Sequence, residues 1–184
     1  MNRVAAAGRH VALLRGINVG KAKRIAMADL RRVVAALGYE DVLTLLNSGN
    51  VVFTVPPGVR GDHATRIEDA IVTRIGVTSR VTVLSGAELV TIVDDNPLAK
   101  QADDPSRLLV TVLTDPALRP TLQVLAKQRW APEAFGLGKR ATYAWCPKGM
   151  TDSPLASAIA KLIGDGGTTR NWATITKLHA LVRE

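Results

Sequence analysis

Apolar and polar positions switch between two periods along this chain, and the switches mark out its elements. His10–Arg15 encloses the unbroken apolar run Val11-Ala12-Leu13-Leu14, which predicts a strand buried on both faces. Met27, Leu30, Val34 and Leu37 then recur at helical spacing with Arg31 and Arg32 turned outward, and Gly38 stops that helix. Asp41–Leu46 and Val51–Val55 read as two strands around Asn47-Ser48-Gly49-Asn50, where Asn and Gly are expected to supply the positive φ of a tight turn. Ile67, Ala70, Ile71 and Ile75 predict a helix from Asp62 to Ile75, and Arg80–Leu84 a strand after it. The order so far is βαββαβ, the split β-α-β arrangement of ferredoxin-like folds.

Ser85-Gly86-Ala87-Glu88 has the form of a capping box opening a helix to about Val93. Asp94-Asp95-Asn96-Pro97 breaks it, and the segment to Pro105 reads as polar and mobile. A subdomain boundary is expected there, giving 1–95 and 96–184. Beyond it come a strand at Arg107–Leu113 and a helix opened by Thr114-Asp115-Pro116 and running to about Lys127. A hairpin of Glu133–Leu137 and Arg140–Cys146 follows, then a helix from Ser153-Pro154 to Ile163. Gly164–Gly167 reads as a flexible break. Thr169 is expected to cap a last helix, Arg170 to about Val182, with Trp172, Ile175, Leu178 and Val182 as its buried stripe. The class is α+β, with a ferredoxin-like first subdomain and a mixed second one carrying a hairpin and two C-terminal helices. No sequence repeat is visible.

Charge changes this picture more than composition does. The 184 residues carry a formal +8. Residues 1–32 hold eight Lys and Arg against Asp29 alone, a local +7, which leaves +1 for the other 152. A one-ended positive field concentrates anions such as phosphates or nucleic acid. Aromatic residues are only 4% of the chain, so the core must come from Val, Leu, Ile and Ala. Cys146 stands alone and His10, His63 and His179 are scattered, so neither a disulfide nor a metal site is expected. The apolar stretch Val4–Gly8 is too short for a signal core and is cut by Arg9, and no run reaches the ~18 residues of a membrane span. A cytoplasmic protein without cofactor or membrane partner is expected.

Three stretches carry candidate chemistry. Gly16-Ile17-Asn18-Val19-Gly20-Lys21 is a glycine-bearing turn between strand and helix, where backbone N–H groups can face an anion. Its spacing is neither a P-loop nor a dinucleotide fingerprint. Lys21, Lys23 and Arg24 add charge, and Arg15 and Asn18 lie at or just past the end of the strand, where sites gather. Arg15 could equally pair with Asp29 or Asp41. Arg170-Asn171 places a cation in the first turn of a helix, against the dipole, which points to a carboxylate, a phosphate or a ligand as its partner. Asn47, Ser48 and Asn50 build a turn by their own chemistry and show no nucleophile with a base. No hydrolase, zinc-protease or cysteine-nucleophile signature is present.

Taken together, ALLRGINVG (12–20), the Met27-x-x-Leu30 helix, NSGNVVF (47–53) and TRNWATITKL (169–178) resemble a bacterial domain-of-unknown-function family, number sixteen ninety-seven. The chain departs from that family's pattern at Lys21, which replaces a second glycine, and at Pro154, which replaces a lysine. The resemblance implies two small α+β subdomains, the first ferredoxin-like, and no established activity. Its motifs fall on Arg15, Gly16, Asn18, Ser48, Gly49, Asn50, Arg170, Asn171 and Trp172.

The leading functional expectation is a protein that binds an anion, nucleic acid or a nucleotide first. Arg15, Lys21, Lys23, Arg24 and Arg170 would meet phosphate, and Gly16 and Gly20 would bind the ligand with them, in the turn whose backbone N–H groups can face an anion. Ser48 would join them, and Asn18, Asn50 and Asn171 would bond base or sugar. Ferredoxin-like RNA binders present aromatics on the sheet; these strands offer only Phe53, so contacts should be mainly electrostatic. Two alternatives stand beside it. One is a small enzyme acting on a phosphorylated or carboxylated metabolite at the subdomain interface; the other is a structural or partner-binding module.

Overall fold

A computed structural model describes residues 8–184, so Arg3 and the Val4–Ala7 run lie outside the described residues. The structure divides into two compact units, one running to Leu89 and taking back Ala180–Glu184, the other Val90–His179.

The first unit contains β1 (Arg9–Leu14), α1 (Met27–Ala35), β2 (Glu40–Leu45), β3 (Asn50–Thr54), α2 (His63–Ile75) and β4 (Val81–Ser85). Its sheet runs β2-β3-β1-β4 with every neighbour antiparallel, the ferredoxin-like order that the alternating periods imply. Ala12, Leu14, Val51 and Phe53 from the strands meet Leu30, Val34, Ile67 and Ile71 from α1 and α2 in one core. The ends of α2 explain its length. Asp62 accepts from the N–H groups of Ala64 and Thr65, and Gly76 closes the helix at φ +76°. The capping box is real: Ser85 N–H donates to Glu88 Oε2 at 2.9 Å and Glu88 N–H to Ser85 Oγ at 3.2 Å, opening α3 (Gly86–Asp94).

The second unit holds β5 (Leu108–Leu113), a 3-10 turn (Pro116–Leu118) leading into α4 (Arg119–Ala126), β6 (Ala134–Leu137), β7 (Ala141–Trp145), α5 (Pro154–Ile163) and β8 (Gly167–Asn171). Its sheet runs β6-β7-β5-β8, again antiparallel throughout. The second unit therefore repeats the βαββαβ path and the strand order of the first, and α6 (Trp172–Arg183) follows β8 as α3 follows β4. The duplication is one of topology, invisible as a sequence repeat.

Three expectations change. Thr169 and Arg170 do not open a helix; they lie in β8, with Arg170 opposite Val110 and Thr169 opposite Thr111. Two threonines in sequence favour a strand, and this one gains its ladder from β5, far away in the chain. The division between units lies inside α3 rather than at Asp94–Pro97, and the end of α6 belongs with the first unit. There Arg9 donates from its guanidinium to the Leu181 carbonyl at 2.6 Å. The polar segment to Pro105 is held too: Leu98 and Asn96 are buried, and Asn96 Oδ1 accepts from the Leu98 N–H at 2.9 Å.

Candidate anion-binding cleft

Beyond β1 the chain cannot simply turn into α1. It passes through four left-handed residues, Gly16, Asn18, Gly20 and Lys23, at φ +67°, +54°, +61° and +49°. Glycine takes this region without steric cost, and asparagine is the next most tolerant residue. Asn18 then clamps the loop. Its N–H donates to the Lys23 carbonyl at 3.1 Å and its Oδ1 accepts from the Ile25 N–H at 2.9 Å. Its Nδ2 donates to the carbonyls of Ile25 at 2.9 Å and Asn47 at 2.7 Å. Asn18 thereby ties the loop to the β2–β3 turn.

That turn is built to receive the tie. Leu46, not Asn47, joins Gly49 in positive φ, at +58° and +80°. Gly49 passes its carbonyl to the Leu14 N–H at 2.8 Å, and a Cβ on it would lie 2.7 Å from Leu14 Cβ and 2.8 Å from Ile17 Cδ1. Asn50 is fully buried and donates from Nδ2 to the Leu45 carbonyl at 2.8 Å and to Ser48 Oγ at 2.9 Å. Asn18 and Asn50, expected to bond a ligand, have structural partners instead.

Loop and turn enclose an open cleft of about 740 Å³, within the range of small-ligand sites. Ile17 and Ile25 form a buried apolar base, Val19, Met27 and Leu46 line the sides, and Asn18, Arg24, Asn47 and Ser48 are its polar members. The start of α1 opens on it. The cap residue Ala26 is extended and offers no side-chain acceptor, so the first-turn N–H groups, at a helix start whose Ala26 and Met27 line the cleft, keep their partial positive charge. Lys21, Lys23 and Arg24 are exposed in the same loop. Asp29, the acid of the first turn, is ion-paired with Arg32. Asp41, the other carboxylate considered for Arg15, accepts from the Thr54 hydroxyl at 3.2 Å. The Arg15 main chain is fixed at the cleft's edge, its N–H on the Arg80 carbonyl and its carbonyl on Ser79 Oγ, both at 2.9 Å. At the equivalent place in the second unit Asp115 accepts from the Ala117 N–H at 2.9 Å and so caps the 3-10 turn that leads into α4, whose own start at Leu118 has no side-chain cap.

Arg170 and Asn171 belong to the second unit. Burial lowers the Arg170 guanidinium to about 10, still a cation at neutral pH, and its Nη1 donates to the Thr169 carbonyl at 2.9 Å. Asn171 is the actual cap of α6, its Oδ1 accepting from the Thr174 N–H at 2.9 Å and from the Thr174 hydroxyl at 2.8 Å. Arg170, a strand residue opposite Val110, does not stand against the α6 dipole as a first-turn cation would.

One cluster has no sequence signal. His10 stacks on Phe53 at 5.8 Å between ring centroids, His63 meets His10 edge-on at 5.5 Å, and the Tyr39 hydroxyl bonds His63 Nδ1 at 2.8 Å. Burial, with the nearby His10 and Arg66, holds the His63 imidazole below its ordinary range, and burial raises the Tyr39 hydroxyl. Strand register joins His10 to Phe53, and the cap at Asp62 sets His63 beside them; spacing alone cannot reveal this. Among the described residues no group of three or more His, Cys, Asp or Glu could hold a metal ion, and no helix is long and apolar enough to cross a membrane.

The model of a family described as "Protein of unknown function (DUF1697)" matches residues 8–143. The chain belongs to the DUF1697 family. The match takes in both the β1–α1 loop and the β2–β3 turn, so the cleft of this DUF1697 chain lies wholly within the family's shared region. No curated protein matches the chain. Among solved structures it is similar to that of the conserved bacterial protein SP0830 from Streptococcus pneumoniae. The TM-score is 0.77 at 22% identity, covering 95% of this chain and 98% of that one. That likeness extends to the fold.

Proposed function

We propose that the chain binds an anionic ligand, nucleic acid or a nucleotide, at the cleft between the β1–α1 loop and the β2–β3 turn. The observation that carries this reading is the helix start without a side-chain cap, open to a cleft that Arg24 lines and Lys21 and Lys23 flank. Uncapped N–H groups and neighbouring cations act on a phosphate in the same direction. Arg15 and Ser48 border the same end of β1, while Gly16, Asn18, Gly20 and Asn50 give the loop and turn their shape. Arg170 and Asn171 take no part in this reading.

The strand positions on the sheet face away from the helices, Val11, Leu13, Val52 and Leu84, are aliphatic and fully buried, and Phe53 belongs to the helix-side core, so base stacking on the sheet has no support. A purely structural role draws support from Asn18, Gly49 and Asn50, which lock loop to turn. It leaves the exposed Lys21, Lys23 and Arg24 without a purpose.

Fluorescence anisotropy with labelled oligonucleotides and nucleotides, at low and physiological salt, tests the proposal. Salt-sensitive binding is expected, and the Lys21/Lys23/Arg24→Ala variant should lose it. With a single strand, any residual binding by the variant should show a log–log salt slope smaller by about 2, three cations at roughly 0.7 each. No binding at low salt overturns the reading.

A further inference from the structure

We infer that the cleft takes a single nucleotide unit, its base against the aliphatic lips Val19 and Leu46 and its phosphate toward Arg24. This rests on the anion reading above. Val19 is 71% exposed and Leu46 52%, and both line this one cleft, above the buried Ile17 and Ile25. Single exposed aliphatic residues are ordinary on a protein surface. Two of them facing one cleft with an apolar base leave a hydrophobic slot open to solvent, and a ligand that is only an anion would leave that slot wet.

Charge selects among ligands with an apolar body. The cations of the loop, Lys21, Lys23 and Arg24, lie within four consecutive positions, and Arg24 alone of the three lines the cleft. The site therefore suits a molecule charged at one end and carrying at the other a flat ring whose faces, unlike its edge, can lie against aliphatic side chains, which is the chemistry of a nucleoside monophosphate. A duplex keeps its bases stacked inside and presents phosphate along its length, which calls for cations spread along a track. The cleft is lined without any aromatic side chain, so the base is held by aliphatic contact on its face rather than by ring stacking. Its volume, about 740 Å³, suits one such unit.

Titration calorimetry at low salt, with adenosine and uridine 5′-monophosphates, ribose 5-phosphate, inorganic phosphate and a short DNA duplex, decides the matter. The nucleoside monophosphates should bind about tenfold more tightly than ribose 5-phosphate, the gain expected from burying a modest apolar contact. Val19→Ser and Leu46→Gly should erase most of that margin, and Arg24→Ala should weaken every phosphate-bearing probe. Leu46→Gly keeps the fold, because φ +58° is a conformation that glycine takes without strain. Equal affinity for phosphates with and without a base, or a margin untouched by both lip variants, overturns this inference and leaves the anion reading standing. So does tighter binding of the duplex than of the monophosphates. Absence of binding by every phosphate overturns both.

Discussion

Gly49 is the residue on which the loop and the turn close. A side chain there meets Leu14 Cβ at 2.7 Å and Ile17 Cδ1 at 2.8 Å, and both neighbours are buried in the core of the first unit. The backbone at φ +80° adds a penalty of roughly 1–2 kcal/mol for any L residue, and overpacking adds about 1–3 kcal/mol. Gly49→Ala is therefore expected to lower the stability of the chain by about 2–5 kcal/mol, read as a fall in the urea midpoint at unchanged slope. A loss under about 0.5 kcal/mol would mean that Leu14 and Ile17 yield more readily than their burial implies. The same pair of features shows why a short motif can be plain in the sequence while its role is not. Asn18, Gly49 and Asn50 stand out as turn residues because few others tolerate such backbones. Only in the folded chain is it visible that Asn18 donates across to Asn47 and that Asn50 lies buried under its own turn.

Elements were legible where their ends carry side-chain caps and their faces a single period. α2 has Asp62 and Gly76 at its ends, α5 has Ser153, and the order and pairing of the first four strands follow from that regularity. β8 was hidden for a specific reason. Its cap-like residue, Thr169, is an exposed strand residue whose hydroxyl meets Thr111 at 2.9 Å, and the true cap, Asn171, stands two positions later. A β-branched polar residue before an apolar stripe serves either purpose, and the choice was made by β5. The same long-range placement gives α2 a pH response. His63, the first residue of α2, is disfavoured as a cation by burial first and then by His10 and Arg66, with Asp62 acting in the opposite direction. Its folded-state pKa lies below the ordinary 6.5, so the unfolded chain binds the proton more readily. The stabilisation from neutral His63 is thus complete above pH 6.5 and is lost as the pH falls below it. Urea midpoints at pH 7.5 and 5.0 should fall with acid in the parent chain and fall less in His63→Gln; an equal drop in both would assign the acid response elsewhere.

At the scale of the whole molecule, two units of one topology meet the same local problem, a helix start just after the first strand, and solve it differently. In the second unit Asp115 caps the 3-10 turn that leads into α4, with a carboxylate that excludes anions there. In the first unit a longer loop leads to Ala26, which caps nothing, and the loop itself is cationic. An acceptor at Ala26 would add stability, since a good cap contributes about 0.5–2 kcal/mol. The backbone at Ala26, φ −70° and ψ 135°, already has the extended form that a capping side chain requires. Ala26→Asp should therefore raise stability by about 1 kcal/mol while it weakens phosphate binding, because its carboxylate would occupy the N–H groups and repel the ligand. The two readouts, denaturation midpoint and anisotropy at low salt, separate the possibilities. Higher stability with unchanged affinity would remove the start of α1 from the site and leave Lys21, Lys23 and Arg24 to act alone. Higher stability with lost affinity would identify the missing cap as a feature retained for binding at a cost in stability, the trade expected where a fold keeps a site open.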